Sequence, residues 1–210
     1  MYATLSKLII SGKLKFTEGK IIGFDLPFAL VPMSSLKKMT DDVIESGIKA
    51  ISDIYFYGWV YGYTVTKNMT KILKLRKFEE RYKIAMDIVG VTGFGDYRTL
   101  SFKQADHAKF LVKGNPFAAQ YYPSQKFVCH YLRGMEAGGG CWVHEILINN
   151  IEFECAAITG SDCLHMNLSP TRIAEVDKKL LKSQLDLDYV IKREKEFIKD
   201  CGDDPSFFGL

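Results

Sequence analysis

The sequence predicts an α+β fold, a small antiparallel sheet with packed helices. Two observations carry this. Strand-like segments come in neighbouring pairs around turn residues, at 13–24, 97–113 and 151–168, which is how antiparallel hairpins read. The helical stretches between them show none of the regular strand–helix alternation that builds a parallel sheet. Composition agrees: 210 residues, 47% hydrophobic and 25% charged, make an ordinary globular chain that buries roughly 70% of its unfolded surface. Disordered, collagen-like and low-complexity classes are excluded. There is no internal repeat and no long linker. Residues 1–96 (N-terminal hairpin and helical part), 97–170 and 171–210 (C-terminal helical extension and tail) are therefore expected to form one compact unit.

In chain order, Lys13-Leu14-Lys15-Phe16-Thr17 and Lys20-Ile21-Ile22-Gly23-Phe24 flank Glu18-Gly19 as a hairpin, and the first thirty residues as a whole read as β structure. After Pro32, Thr40-Asp41-Asp42 is expected to cap a long helix, with acidic residues where its dipole favours them. The stripe Ile44, Ile48, Ile51, Tyr55, Gly58, Gly62 has helical spacing. A second helix is expected from Met69 to about Val89; seven Lys/Arg against Glu79 and Glu80 between Lys67 and Lys83 make a basic stretch that reads as a solvated face or a contact surface. Gly93-Phe94-Gly95-Asp96 ends it. Tyr97 to Lys113 alternates as two strands around Asp106-His107. Asn115-Pro116-Phe117-Ala118 opens a short helix, and another is expected from about Gln125 through Gly138-Gly139-Gly140. Ile151–Thr159 and Leu164–Leu168 form a hairpin around Gly160-Ser161-Asp162. Ser169-Pro170 starts a C-terminal helical section, and the residues from Gly202 are expected as a loose tail.

The charge sum of 28 − 25 = +3 is too small for the concentrated basic footprint of a nucleic-acid binder. No apolar run reaches the ~18 residues that span a bilayer. Met1-Tyr2-Ala3-Thr4-Leu5-Ser6-Lys7 before Leu8-Ile9-Ile10 is too brief for a signal-peptide core. A cytoplasmic location is expected.

Of five cysteines, Cys129, Cys141, Cys155 and Cys163 cluster, and Cys201 lies apart. An odd number in a reducing compartment argues against a disulfide framework and makes a metal site worth testing. Glu152-x-x-Cys155-x₇-Cys163, with Cys129 from the preceding helix, offers three thiolates and one carboxylate, a donor set that a closed tetrahedral zinc site accepts. One geometric difficulty stands out. Residues 152 and 155 would point to opposite faces of a regular strand, so either a bulge intervenes or Glu152 precedes the strand. Cys141, Glu154, His130 and His165 are alternative ligands, and scattered buried thiols are the plainer reading.

These residues carry a resemblance. Asn115-Pro116-Phe117-Ala118, then Val128-Cys129-His130-Tyr131-Leu132-Arg133-Gly134, then Glu152-x-x-Cys155-x₇-Cys163 resemble the vinyl-4-reductase domain family over roughly residues 97–170. That family is related in fold to the vesicle-tethering TRAPP subunits and to the zinc-containing aromatic-sensing domains of bacterial activators. The resemblance implies a ligand-binding fold of the NO-signalling and Golgi-transport type, and a homodimer. It also implies zinc on Cys129, Glu152, Cys155 and Cys163, and tells against Cys141 as a ligand. The aromatic sensors use a His and a Trp upstream of the zinc motif. His107 lies in that neighbourhood but has no Trp beside it, so a phenol-type ligand does not carry over.

Other motifs fall away. His144-Glu145 lacks the second histidine of a metalloprotease helix at position 148, the triple glycine lacks the Lys-Ser/Thr of a phosphate loop, and Gly93-x-Gly95 lacks the dinucleotide pattern. The aromatic stretch has two readings, core and dimer contact or the lining of an apolar cavity, with Tyr55, Trp59, Tyr61 and His107 as ligand-binding candidates. His107, His130 and His165 read more readily as structural histidines than as catalytic ones. The functional expectation is a zinc-stabilised domain that binds a small hydrophobic molecule in a sensing or regulatory role, with a possible protein partner. The rivals are a vinyl-group reductase of tetrapyrrole metabolism, for which no cofactor motif is visible, and a TRAPP-like interaction scaffold without ligand.

Overall fold

A computed structural model describes residues 2–210; Met1, which heads the segment read as too brief for a leader, lies outside them. The chain opens with α1 (Tyr2–Ile10), a helix where β structure was expected. Leu5 and Leu8 stand one helical turn apart, Leu8 is buried, and Ile9 and Ile10 are left exposed. A three-stranded meander follows, β1 (Leu14–Thr17), β2 (Lys20–Gly23) and β3 (Leu26–Phe28), with the expected turn pairing Thr17 and Lys20.

Two helices replace the single one expected to start at Thr40. Helix α2 (Met33–Ser46) starts directly after Pro32, whose fixed φ leads the chain into the first turn, and Thr40 is a buried position within it. Gly47, at φ 95°, breaks the chain before α3 (Ile48–Leu73). The continuous helix expected from Met69 to Val89 is also divided. Met69 belongs to α3, which stops at Lys74 in the left-handed region (φ 54°), and α4 (Phe78–Val89) restarts after Lys77. Lys71, Lys74, Arg76 and Lys77 gather at this break, where the helix C-terminus favours cations.

The second sheet is antiparallel throughout, in the order β4 (Asp96–Lys103), β5 (His107–Lys113), β7 (Cys163–Leu168), β6 (Asn149–Glu154). Asn115 caps α5 (Pro116–Ala119) by accepting from the Phe117 and Ala118 amides. Helix α6 (His130–His144) begins five residues later than expected, so Cys129 sits at its N-cap rather than inside it. A helical turn, α7 (Ala156–Thr159), interrupts what the sequence suggested was a plain hairpin. The C-terminal section is α8 (Pro170–Ile173), α9 (Lys178–Gln184), α10 (Leu187–Asp200) and a 3₁₀ turn (Pro205–Phe208). The tail is not loose. Phe208 is 1% exposed, its carbonyl accepts from the Leu147 amide at 3.0 Å, and Asp203 accepts from the Tyr63 hydroxyl and pairs with Lys67. The aromatic rings of Phe207 and Phe208 against Trp142 anchor it.

Helices α3 and α6 pack backbone to backbone. A Cβ on Gly138 would stand 2.0 Å from the Trp59 carbonyl oxygen, and one on Gly62 would stand 1.9 Å from that of Met135. Close helix approach thus explains Gly138 and, less tightly, Gly139, whereas a Cβ on Gly140 would meet the Asn167 and Ile148 side chains. This contact sets α6 between α3 and the sheet and fixes the side chains that α6 offers to each. Among the described residues no helix is long and apolar enough to cross a membrane.

Candidate metal centre and adjoining cavity

Four elements bring donor atoms to one point. The N-cap of α6 supplies Cys129. On β6, Glu152 stands opposite His165 of β7, and Glu154 stands opposite Leu164, with the register slipping between them. That slip at Phe153 is a bulge, and it removes the geometric difficulty of the three-residue spacing. Cys155 follows in extended backbone as the N-cap of α7. Cys163 opens β7, and His165, two residues on, shares its face. Cys129, Cys155, Cys163, Glu152 and His165 are all buried.

One donor atom each from Cys129, Glu152, Cys163 and His165 lies within 4.8 Å of the others. The sulfurs of Cys129 and Cys163 are 3.9 Å apart, and His165 Nε2 is 3.3 Å from Glu152 Oε1. A tetrahedral ion with bonds of about 2.3 Å to sulfur and about 2.0 Å to nitrogen or oxygen has edges of about 3.8 and 3.3 Å, so both separations fit. Neither oxygen of Glu152 has a hydrogen-bond partner, and neither does His165 Nε2. Buried polar atoms are normally satisfied, and three that face one another without partners make a group that could hold a metal. Cys155 lies alongside. Hydrogen bonds with Cys129 and Cys163 hold its thiol far below the ordinary range, and the same contacts with Cys155 and Cys163 push Cys129 well above it. Amide donors already face the sulfur atoms: Ala156 N at 3.3 Å from Cys163 Sγ, and Asn115 Nδ2 at 3.5 Å from Cys129 Sγ. Burial raises the Glu152 carboxyl, opposed by His165. Burial also opposes charge on His165, but Glu136 and the contacts with Cys163 and Glu152 hold its pKa well above the usual value.

The alternatives sit elsewhere. Cys141 accepts from the Ile148 amide in the core at 3.3 Å, Glu154 is exposed, and His130 Nδ1 is engaged by Arg133 at 2.9 Å.

The structure holds two chambers, of which the inner reaches the centre through Glu136, the partner of His165. The outer one, about 400 Å³, lies between the N-terminal meander and α3, and its lining is almost wholly apolar. The inner one, about 70 Å³, runs between α3, α4, α6 and the sheet and includes Tyr82, Tyr97, Glu136 and His144. Tyr61, Val65, Ile88, Thr92 and Met135 line both. Of the ligand candidates, Tyr61 is therefore on a cavity wall, where burial pushes its hydroxyl up to about 12. Tyr55 and Trp59 line neither chamber. Tyr55 donates to Asn149 Oδ1 and accepts from the Asn150 amide, each at 2.9 Å, and Trp59 stacks on Tyr63 with ring centroids 4.8 Å apart. His107 also stands outside both chambers, held by Asp106 at 2.7 Å and Ser101 at 3.1 Å.

Two inner-chamber residues are not among the ligand candidates, and in the sequence His144 reads only as half of a metalloprotease pair. His144 is 1% exposed with no partner on either ring nitrogen, and burial lowers its pKa to about 4. Glu136 accepts from the Tyr97 hydroxyl at 3.0 Å, Asn150 Nδ2 at 3.1 Å and His165 Nδ1 at 2.6 Å. Nothing in Gly134-Met135-Glu136-Ala137-Gly138 marks it, because its role depends on which face of α6 meets β7.

No protein-family model matches the chain, and no curated protein sequence does. Solved structures match in fold. The phenol-responsive sensory domain of the transcription activator PoxR, with phenol, superposes with a TM-score of 0.69 at 17% identity, covering 80% of this chain and 90% of that one. Trafficking protein particle complex subunit 3 from Naegleria fowleri, covalently bound to palmitic acid, superposes with a TM-score of 0.51 at 10% identity, covering 65% and 91%. A vinyl-4-reductase family protein from Methanocaldococcus jannaschii gives a TM-score of 0.44 at 16% identity, covering 68% and 83%. At these identities the likeness is one of fold, and with the sensory domain and the trafficking subunit it is the fold relationship that the resemblance implied.

Proposed function

We propose that the chain is a sensing or regulatory domain that holds a small, hydrophobic molecule in the paired chambers and zinc at the adjoining thiol and carboxylate group. The observation that carries this is the outer chamber, whose 400 Å³ falls in the range of small-molecule sites. It occurs in a fold shared with a domain that responds to phenol. The zinc is held by Cys129, Glu152, Cys155 and Cys163, as the resemblance implies, with His165 in the same buried group. Bound there, zinc supplies folding energy and fixes α6 against β6 and β7. All five cysteines are free, in keeping with a reducing, cytoplasmic setting.

Native mass spectrometry of protein purified without chelators tests the reading, because it reports metal, retained ligand and oligomer together. One zinc per chain and a retained small mass are expected; less than ~0.2 zinc per chain counts against the centre. A screen of apolar molecules by thermal shift tests the cavity. A binder present at 100 times its dissociation constant adds about 2.7 kcal/mol, and silence across a broad library would sink the small-molecule role.

One observation favours a second reading, a contact role through a homodimer or a protein partner. Ile9, Ile10, Phe16, Leu30 and Val31 are exposed on the N-terminal segment, the last three also lining the outer chamber, and exposed apolar surface marks contact sites. A dimer mass together with no cavity ligand would support the interaction scaffold instead.

A further inference from the structure

His144 is the last residue of α6 and lines the inner chamber. The backbone is pinned on both sides of it. Glu145 follows in the left-handed region (φ 59°) and its amide donates to the Cys141 carbonyl at 2.9 Å. The Val143 carbonyl accepts from Arg81 Nε at 3.1 Å. Phe78 packs edge-on to the imidazole, with ring centroids 5.1 Å apart. Yet this ring, 1% exposed, has no hydrogen-bond partner on either nitrogen among the described residues. Other polar side chains of the same wall are engaged: Tyr82 with Thr99 at 3.0 Å, Thr92 with the Val89 carbonyl at 2.6 Å, Tyr97 with Glu136 at 3.0 Å, and Asn167 with the Glu136 carbonyl at 2.9 Å. A buried polar group without a partner is rare and costly. This one borders about 70 Å³ of open space, several times the ~10–15 Å³ that a single water needs.

The charge state narrows what can enter. Burial first, then the charges of His107 and Arg81, hold the imidazole pKa down at about 4. Near neutral pH the ring therefore offers one N–H donor and one lone pair, and no positive charge. Arg81 is already paired with Glu145 at 2.9 Å, and Glu136 is itself on the chamber wall, where it repels a second carboxylate. We propose that His144 is the polar contact of the inner chamber, which selects a small uncharged molecule bearing one hydroxyl or carbonyl oxygen. That oxygen bonds to the imidazole while the hydrocarbon part lies against Val65, Met86 and Phe110, which line the same space. The inference rests on the cavity reading and deepens it by naming the selecting residue and the class of ligand. It assigns no part to His107, which stands outside both chambers.

The test uses the whole chain and three probes built on one ring: cyclohexanol, methylcyclohexane and cyclohexanecarboxylate. Dissociation constants are read by titration, and the state of His144 by its ring-nitrogen NMR signals. Cyclohexanol should bind ~10–100-fold more tightly than either other probe and should move the His144 signals. His144→Phe should weaken cyclohexanol by that same factor and leave methylcyclohexane as in the parent, a split that a merely structural role would not produce. If the parent binds cyclohexanol and methylcyclohexane alike, with the His144 signals unmoved, water alone satisfies the imidazole. The inference then fails and the cavity reading stands. Tightest binding of cyclohexanecarboxylate overturns the uncharged class of ligand. A parent chain that binds none of the three loses both this inference and the small-molecule role of the inner chamber. Should His144→Phe fail to fold, the parent's NMR signals and His144→Gln, which keeps a donor and an acceptor and should retain part of the preference, decide the question.

Discussion

Two buried carboxylates show how differently this molecule treats its two halves. Glu152, in the sheet, and Glu194, in α10, are both 0% exposed, and each keeps at least one oxygen without a hydrogen-bond partner. Glu152 stands within 4.8 Å of two sulfurs and an imidazole nitrogen. Glu194 faces an amide, Asn149 Nδ2 at 3.3 Å, with the Tyr55 phenol nearby, and burial pushes its carboxyl from the usual 4.5 up to about 8. An isolated buried charge is so unfavourable that the group keeps its proton instead. The first environment calls for a cation, whereas the second is satisfied by a proton. Burial alone therefore does not mark a site; the chemistry of the facing atoms does.

The sharpest way to break this contrast is Glu152→Gln, measured with and without zinc. In the zinc-loaded protein the substitution should destabilise by ~3–5 kcal/mol, since it removes one partner of a buried charge pair. After chelation the loss should be much smaller, because the carboxylate then faces only His165, 3.3 Å away. Melting temperatures of the four states decide it; an equal loss in both conditions would mean that Glu152 meets no ion. Glu194→Gln probes the other half through pH. Below about pH 4.5 the carboxyl is protonated folded and unfolded, and contributes no pH dependence. Above it the unfolded chain releases its proton while the folded chain keeps it, so stability falls until about pH 8, where the folded group ionises too. Urea unfolding should show the parent losing ~3 kcal/mol relative to the variant between pH 5 and 8. Parallel profiles would place Glu194 in contact with solvent.

The same contrast decides what the sequence revealed. Turn residues announced the hairpin at Glu18-Gly19, and Asn115-Pro116 announced α5, because a cap or turn acts within a few residues. Cys129, Glu152 and Cys163 stood out as candidate donors because their spacing is a property of the chain itself, and the structure brings them within 4.8 Å of one another. The bulge at Phe153 was legible only as a need, created by the three-residue gap between Glu152 and Cys155. Glu136 was not legible, since its meaning depends on which face of α6 meets β7. The aromatic run of α3 misled for the same reason. Its rings at Tyr55 and Trp59 look like a cavity lining until the glycines of α6 are seen to bring the two backbones together. Gly138→Ala tests that packing. On an open helix the change would stabilise by about 1 kcal/mol; here a Cβ 2.0 Å from the Trp59 carbonyl oxygen should destabilise by ~1–3 kcal/mol, read by denaturant midpoint. A gain would mean that the helices separate more readily than their contact implies.

Cys201 gives the smallest expected effect and the cleanest control for the centre. It is the one exposed cysteine, at the end of α10, while the other four are buried. It belongs to neither the metal group nor the chambers. Its thiol is raised by burial, partly offset by the Lys67 charge, which disfavours the thiolate that a metal would need. Cys201→Ser should therefore change stability by less than ~0.5 kcal/mol and leave zinc content at one per chain. Loss of metal in this variant alone would move the centre away from β6 and β7 to the C-terminal helix, and would reverse the assignment of the two halves.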